Sequence, residues 1–360
     1  MKLLHVCETI LGGVSTHLNE LVPLQCADLG AENVRLLVPK EHVGELSSVV
    51  SALVVPFARH SRMRGLFILP FALIKQCACF RPDLIHAHST FAGVIVRLIA
   101  PVFRIPVVYC PHAWATEREQ SKLARRTTAL IERALSFLCA RIVAVSQAER
   151  QSGIALGIRS EKIITVRNGL GAQGPVFTPL VWEDRRLKVL FVGRLSPQKG
   201  IDILLRAIEG LEDKISLYVI GERLPGDPLI DFQHYPHVRW FGWRVSAQVM
   251  AMMASCDVVV MPSRWEGLPY VALEAMRLKK PIIAARVGGL QEVVCDQETG
   301  FLFDSGDALT LRRLLSSLEA VRCAELGVAA EKRFHDSFLA EPMGLAMQAV
   351  YQDVLSGGSL

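Results

Sequence analysis

Strand-like apolar runs alternate with helix-spaced segments along the whole chain, in two successive sets, and few folds accommodate that pattern. In the first half the runs are Leu3–Cys7, 34–38, 84–87, 107–109 and 142–145. In the second they are 188–192, 216–220, 238–241, 257–261, 281–284 and Gly300–Phe303. Segments between them carry helical spacing, as at 249–254 and 308–318. Strands separated by helices imply parallel sheets, and two such sets imply two Rossmann-like α/β domains. A chain of 360 residues is long for one core and suits two. The Gly- and Pro-rich stretch from Gly171 through Pro175 to Pro179 reads as the linker. Domains are therefore expected at 1–178 and 179–341.

Two strand–loop–helix segments of the second half carry chemistry. Leu187–Val192 is followed by Gly193-Arg194-Leu-Ser-Pro-Gln-Lys199-Gly200 and then by the helical Ile201–Ile208. Ligands bind beyond the carboxyl ends of strands in open α/β sheets, which places Arg194 and Lys199 where a phosphate would sit. Arg forks onto phosphate oxygens and Lys adds a mobile point charge. Further on, the apolar Val258–Met261 leads into Pro262-Ser-Arg-Trp-Glu266-Gly267-Leu268-Pro269-Tyr-Val-Ala-Leu-Glu274-Ala-Met. Pro269 suits a first helical position. A helix mouth near Gly267 and Leu268 offers backbone N–H groups to an anion, with Glu266 in the turn and Glu274 inside the helix. Two carboxylates beside an anion site make sense if the ligand carries hydroxyls around its phosphates, as a nucleotide sugar does. Alone, each segment also reads as solvated surface charge.

Taken together, these segments closely resemble those of the family 4 glycosyltransferases, retaining enzymes of the GT-B fold. Gly12-Gly13-Val-Ser-Thr-His-Leu is similar to that family's glycine-rich loop after the first strand, and Arg81-Pro-Asp-Leu-Ile-His86-Ala-His88 to its strand ending in paired histidines. Pro111-His112-Ala113-Trp114 looks like its His-Gly-Trp segment, and Arg167-Asn-Gly169 like the segment before the domain crossover. The resemblance implies two facing Rossmann-like domains with parallel sheets and an interdomain cleft, and a C-terminal helix, 342–356, returning to the first domain. It implies catalytic roles for His112, Arg194, Lys199 and Glu266, and donor contacts from Gly12, Gly13, Gly267, Leu268 and Glu274. His112 would contact the donor sugar, Glu266 its hydroxyls, Glu274 the ribose, and Arg194 with Lys199 the diphosphate. Ala113 stands where the family more usually has glycine, which leaves the backbone there open. His86 and His88 receive no role.

The expected activity is retaining transfer of a sugar from a nucleotide-diphosphate sugar to a glycan or polyprenyl-linked acceptor, in surface polysaccharide biosynthesis. No further cofactor is expected. No Asp-x-Asp sequence occurs, so no metal is assigned: basic side chains and the helix mouth would neutralise the leaving diphosphate. A nicotinamide fingerprint Gly-x-Gly-x-x-Gly is absent at Gly12-Gly13. A nucleotide-sugar epimerase and a non-catalytic sugar-nucleotide or glycan-binding component remain as alternatives.

Charge and cysteine usage bear on location and partners. Residues 1–180 hold 20 Lys and Arg against 12 Asp and Glu, whereas the remainder holds 20 against 23. The basic residues cluster at Arg59-His-Ser-Arg-Met-Arg64, beside an apolar run at 66–74, and along Arg118, Lys122, Arg125, Arg126 and Arg133. Such a surface suits peripheral contact with an anionic membrane, or the run at 66–80 is simply a core-facing helix. No nucleic-acid-binding motif accompanies the charge. Nine scattered cysteines, no secretory leader and no long apolar span point to a cytoplasmic protein, peripheral on the inner membrane face at most.

Overall fold

The computed structural model describes residues 1–59, 62–178, 180–223, 234–235 and 237–357. Pro179 of the linker, and His60 and Ser61 of the first basic cluster, lie outside the described residues. The chain divides into two compact units, Met1–Gly169 with Ala340–Leu360, and Leu170–Leu339.

The first unit holds β1 (Leu3–Cys7), β2 (Val34–Pro39), β3 (Val54–Phe57), β4 (Leu84–His88), β5 (Val107–Cys110), β6 (Arg141–Ala144) and β7 (Ile163–Thr165). All pair in parallel in the order β3-β2-β1-β4-β5-β6-β7. Its helices are α1 (Gly13–Leu29), α2 (Arg62–Cys79), α3 (Thr90–Ile99), α4 (Lys122–Leu135) and α5 (Gln147–Ala155). The second unit holds β8 (Leu187–Val192), β9 (Ile215–Ile220), β10 (Val238–Trp240), β11 (Val258–Met261), β12 (Ile282–Ala285) and β13 (Gly300–Phe303). These are also parallel, ordered β10-β9-β8-β11-β12-β13. The accompanying helices are α6 (Ile201–Ile208), α7 (Ser246–Ser255), α8 (Tyr270–Arg277), α9 (Leu290–Val293), α10 (Ala308–Ser317) and α11 (Ala320–Ser337). The last helix, α12 (Ala340–Leu355), packs on α1 of the first unit. There Arg141 pairs with Asp353 at 2.7 Å, and Met343 Sδ accepts from the Gly169 N–H.

Each sheet runs outward from its first strand in both directions, so strand order reverses between β1 and β4 and between β8 and β11. That reversal opens a crevice at the carboxyl ends of the strands. Both sheets are covered by helices, which explains why their strands read as continuous apolar runs. α6 buries Ile201, Ile203, Leu204, Leu205, Ala207 and Ile208 against its sheet. Each of the Ile and Leu side chains contributes about 1.5–3 kcal/mol on leaving water.

Several expectations need correcting. The short strands β3 and β7 are absent from the sequence reading: Pro56 interrupts the run of β3, and β7 is only Ile163-Ile164-Thr165. Pro269 precedes the helix, with ψ 131°, and Tyr270 is its first residue. The apolar run at 66–74 is part of α2, with Pro70 inside the helix. α2 faces the core through Leu69, Leu73 and Cys77, yet Phe67, Phe71 and Ile74 on its other side are exposed.

Candidate active site

Both chemistry-bearing loops of the second unit leave strands that flank its switch point, one after β8 and one after β11. They are tied together directly. Lys199 Nζ donates to Glu266 Oε1 at 2.5 Å, and Ser263 Oγ donates to the same oxygen at 2.8 Å. Glu266 is buried, with 7% of its side chain exposed, whereas Lys199 keeps 22%. Gln198 bridges the loops through its backbone, accepting from the Arg264 N–H at 2.8 Å, and its amide donates to Trp265 O at 3.3 Å. Arg264 forks onto Asp202 of α6 at 2.8 and 2.9 Å. Arg194 reaches Gln198 Oε1 at 3.5 Å, the limit of a hydrogen bond.

Two glycines make this closeness sterically possible. Gly200, at φ 67°, lies against the carbonyl of Pro262, and Gly288, at φ 47°, against the carbonyl of Glu266. A Cβ at either would collide with backbone, and L-residues disfavour those angles besides. Gly267 and Leu268 are buried just ahead of α8, and Gly267 O accepts from the Gly289 N–H at 2.6 Å. Glu274 is the fifth residue of α8 and is partly buried.

In the first unit, Gly12 and Gly13 form the entry to α1, Gly12 at φ 74° and Gly13 as first helical residue. His112 follows β5 by two residues at φ 53°, and Ala113 has φ 89°. The backbone left open by Ala113 is thus a left-handed pair of non-glycine residues, which costs free energy unless held. Glu149 of α5 holds it. Its carboxylate accepts from the Ala113 N–H at 2.5 Å and from the Val145 N–H at 2.6 Å, and its carbonyl accepts from the Trp114 indole at 2.8 Å. Burial raises the Glu149 carboxyl to about 7, against the pull of those two N–H groups.

His112 also touches a buried group of histidines. Its Nε2 is 3.0 Å from His88 Nδ1, and His88 Nε2 is 3.0 Å from His5 Nδ1. The edge of His17, from the first turns of α1, meets the His112 ring at 4.9 Å between centroids. His5, His86 and His88, and likewise His17, His88 and His112, have ring nitrogens within 4.8 Å of one another. Burial lowers the basicity of all five: His5 and His17 fall to about 4, and His86, His88 and His112 fall well below the usual imidazole range. All five are therefore neutral near pH 7.

The structure thus gathers Lys199 and Glu266 into contact, sets Arg194 beside them through Gln198, and places Gly12, Gly13 and His112 in the first unit. Sequence reasoning missed Ser263, Gln198, Glu149, His5 and His17. One signal was available: His86 and His88 are two apart on β4, hence on one face, and β1 sets His5 opposite His86.

A basic loop and a buried carboxylate at the switch point of a parallel sheet, in a chain that carries a second Rossmann-like unit, define the GT-B class of glycosyltransferase. Known proteins agree. The Anabaena HepE structure with UDP-glucose superposes with TM-score 0.78 at 22% identity, over 98% of this chain and 100% of that one. Sucrose-phosphate synthase from Thermosynechococcus elongatus gives 0.75 at 20%, over 99% and 100%. Residues 12–169 match the glycosyl transferase 4-like domain, and residues 177–333 match the glycosyl transferases group 1 family. An uncharacterized 41.2 kDa protein in the cps region of Klebsiella pneumoniae is 29% identical over 88% of this chain and 90% of its own length. A D-inositol 3-phosphate glycosyltransferase of Corynebacterium diphtheriae is 28% identical over 71% and 67%. The chain belongs to the group 1, or family 4, glycosyltransferases.

Proposed function

We propose that this glycosyltransferase moves a sugar, with retention, from a nucleotide-diphosphate sugar to a glycan or lipid-linked acceptor in surface polysaccharide assembly. The observation that carries the reading is the Lys199–Glu266 contact at the switch point, flanked by Arg194. As the glycosyl bond breaks, charge gathers on the diphosphate. Lys199, Arg194 and the N-terminal end of α8 offset that charge from fixed positions, and preorganised electrostatics of this kind usually does more for such a step than any other protein effect. Glu266 accepts hydroxyls of the donor sugar, Glu274 accepts ribose hydroxyls, and His112 contacts the sugar. The acceptor attacks the face the diphosphate leaves, and the leaving phosphate takes the acceptor's proton. The basic side chains do the work that a divalent ion does elsewhere, so the transfer is metal-independent.

The UDP-glucose in the HepE structure makes UDP-hexoses the first donors to test, and the cps-region relative favours a surface polysaccharide as product. The test incubates the protein with UDP-, GDP- and other nucleotide sugars and measures released sugar, with thermal shift reporting binding. Slow hydrolysis of one donor class supports the reading. Binding without hydrolysis or transfer, across acceptors, refutes it.

A membrane-facing surface fits a lipid-linked acceptor. α3 packs between α2 and α4. Together they expose Phe67, Phe71, Leu98, Leu123, Leu130 and Ile131, with Lys122, Arg125, Arg126 and Arg133 alongside. Exposed apolar side chains beside a row of cations on α4 match an anionic bilayer surface. No helix among the described residues is long and apolar enough to cross a membrane. Sedimentation with phosphatidylglycerol vesicles should exceed that with phosphatidylcholine vesicles, and Leu123→Asp with Leu130→Asp should abolish the difference.

A further inference from the structure

His5, His88 and His112 form one hydrogen-bonded chain that begins at Gln25. Gln25, on α1, has its Oε1 at 2.8 Å from His5 Nε2. His5 Nδ1 is 3.0 Å from His88 Nε2, and His88 Nδ1 is 3.0 Å from His112 Nε2. The other end of the Gln25 amide donates to Tyr351 Oη at 3.0 Å, and Tyr351 Oη lies 2.7 Å from His86 Nδ1. Tyr351 comes from α12. Gln25 and Tyr351 are buried, and His5, His86 and His88 are wholly so.

A neutral imidazole has one N–H donor and one bare acceptor nitrogen. The amide oxygen of Gln25 only accepts, so His5 carries its proton on Nε2 and leaves Nδ1 bare. His88 must then donate from Nε2 and accept at Nδ1. His112 in turn donates from Nε2 and leaves its own Nδ1 bare. Each link contains a single proton, so reversing one link reverses all of them. The orientation of one amide therefore sets the protonated nitrogen of a histidine three links away.

We propose that Gln25, His5 and His88 are positioning residues that hold His112 in its Nε2–H form, so that bare Nδ1 accepts a hydrogen bond from a hydroxyl of the donor sugar. This rests on the reading of His112 as a donor-sugar contact. Burial keeps His17 uncharged and raises the thiols of Cys7 and Cys110, so these neighbours bring no charge to compete with the amide for control of the tautomer; the Glu149 carboxyl is engaged by the Ala113 and Val145 N–H groups. A donor hydroxyl that meets an N–H instead of a lone pair must turn its own proton elsewhere and accept, and losing the preorganised direction of one such bond corresponds to a change of up to about tenfold in rate.

The test reads the tautomer directly, by two-bond proton–nitrogen correlation on protein labelled with nitrogen-15 histidine, using His112→Asn for assignment. Wild type should show His112 protonated at Nε2 with bare Nδ1, and an Nδ1–H form there would overturn the proposal even if no variant folded. Gln25→Met keeps the side-chain volume but removes the acceptor. It should shift His112 toward Nδ1–H and lower turnover of the intact donor about tenfold, with affinity for the bare nucleotide diphosphate unchanged. An unchanged His112 tautomer in folded Gln25→Met overturns the relay, as does one zinc ion per chain by mass spectrometry, since a metal would displace the shared protons. His112→Ala separates the premise: normal turnover there refutes His112 as a sugar contact, whatever the spectra show.

Discussion

Lys199 Nζ and Glu266 Oε1 lie 2.5 Å apart, joining the loop after β8 to the loop after β11 across the switch point of the second sheet. An ammonium held by a buried carboxylate is partly desolvated and already oriented before a diphosphate arrives. It need not reorganise during the reaction, which is where electrostatic catalysis gains most.

Lys199→Ala or Arg194→Ala is therefore expected to lower turnover by about 10²–10³. Thermal stability should change little for the exposed Arg194, whereas Lys199→Ala also strands the buried Glu266 carboxylate and should lower it. Single-turnover assays on folded variants decide this, and near-normal turnover removes the mutated residue from the mechanism.

Full activity should persist in excess EDTA. The basic side chains of the β8 loop, rather than a bound cation, neutralise the leaving group in the proposed chemistry. Loss of transfer with chelator, restored by magnesium or manganese, would show that an ion shares this role.

The two glutamates should separate in calorimetry. Glu274→Ala should weaken both the bare nucleotide diphosphate and the intact donor, whereas Glu266→Ala should spare the bare nucleotide and depress turnover. A hydrogen bond to a charged group is worth about 1.5–3 kcal/mol, or roughly ten- to hundredfold at each site. Equal loss of bare-nucleotide affinity in both variants would mean that the carboxylates only shape the helix mouth.

Glu149 should leave a mark on the pH dependence of stability. Its carboxyl is raised by burial from 4.5 to about 7 in the folded state. A raised folded value means that folding favours the protonated form. The associated stability is complete below the unfolded value and is lost as pH rises through the folded one. The free-energy difference between wild type and Glu149→Gln should therefore move against wild type by about 3 kcal/mol between pH 4 and 8. Urea unfolding of both proteins across that range measures it, and a flat difference would contradict it.

A second buried carboxylate tests the core of the first unit. Arg97 on α3 donates to Glu132 on α4 at 2.8 Å, both wholly buried, with the guanidinium 4.0 Å above the Tyr109 ring. Removing one partner strands the other charge, so Glu132→Ala should cost about 3–5 kcal/mol. Replacing the pair together, by Arg97→Met with Glu132→Leu, should cost much less, and an equal cost for both would show that the charges are not what is being lost.

Long strands were legible because burial on both faces writes them as unbroken runs, as in Leu187–Val192. β3 and β7 were not, since Pro56 breaks the run of β3 and β7 offers only Ile163-Ile164-Thr165. Pro269 was placed one residue too far into α8. A proline tolerates both the first helical position and the residue ahead of it, so propensity does not separate the two.

What the sequence determined by itself is the local chemistry and its order. It supplied the parallel α/β alternation, the basic loop with Arg194 and Lys199, the Glu266 to Glu274 spacing and the Pro-His-Ala-Trp segment, because all of these are set by neighbours along the chain. Only the tertiary structure decided which of those groups touch. The 2.5 Å contact of Lys199 with Glu266 spans 67 residues of sequence and depends on Gly200 and Gly288 leaving room for backbone. The chain from Gln25 through His5 and His88 to His112 depends on strand register and on α12 returning Tyr351 to the first unit. Periodicity says which face a residue takes, but not what the fold brings against that face.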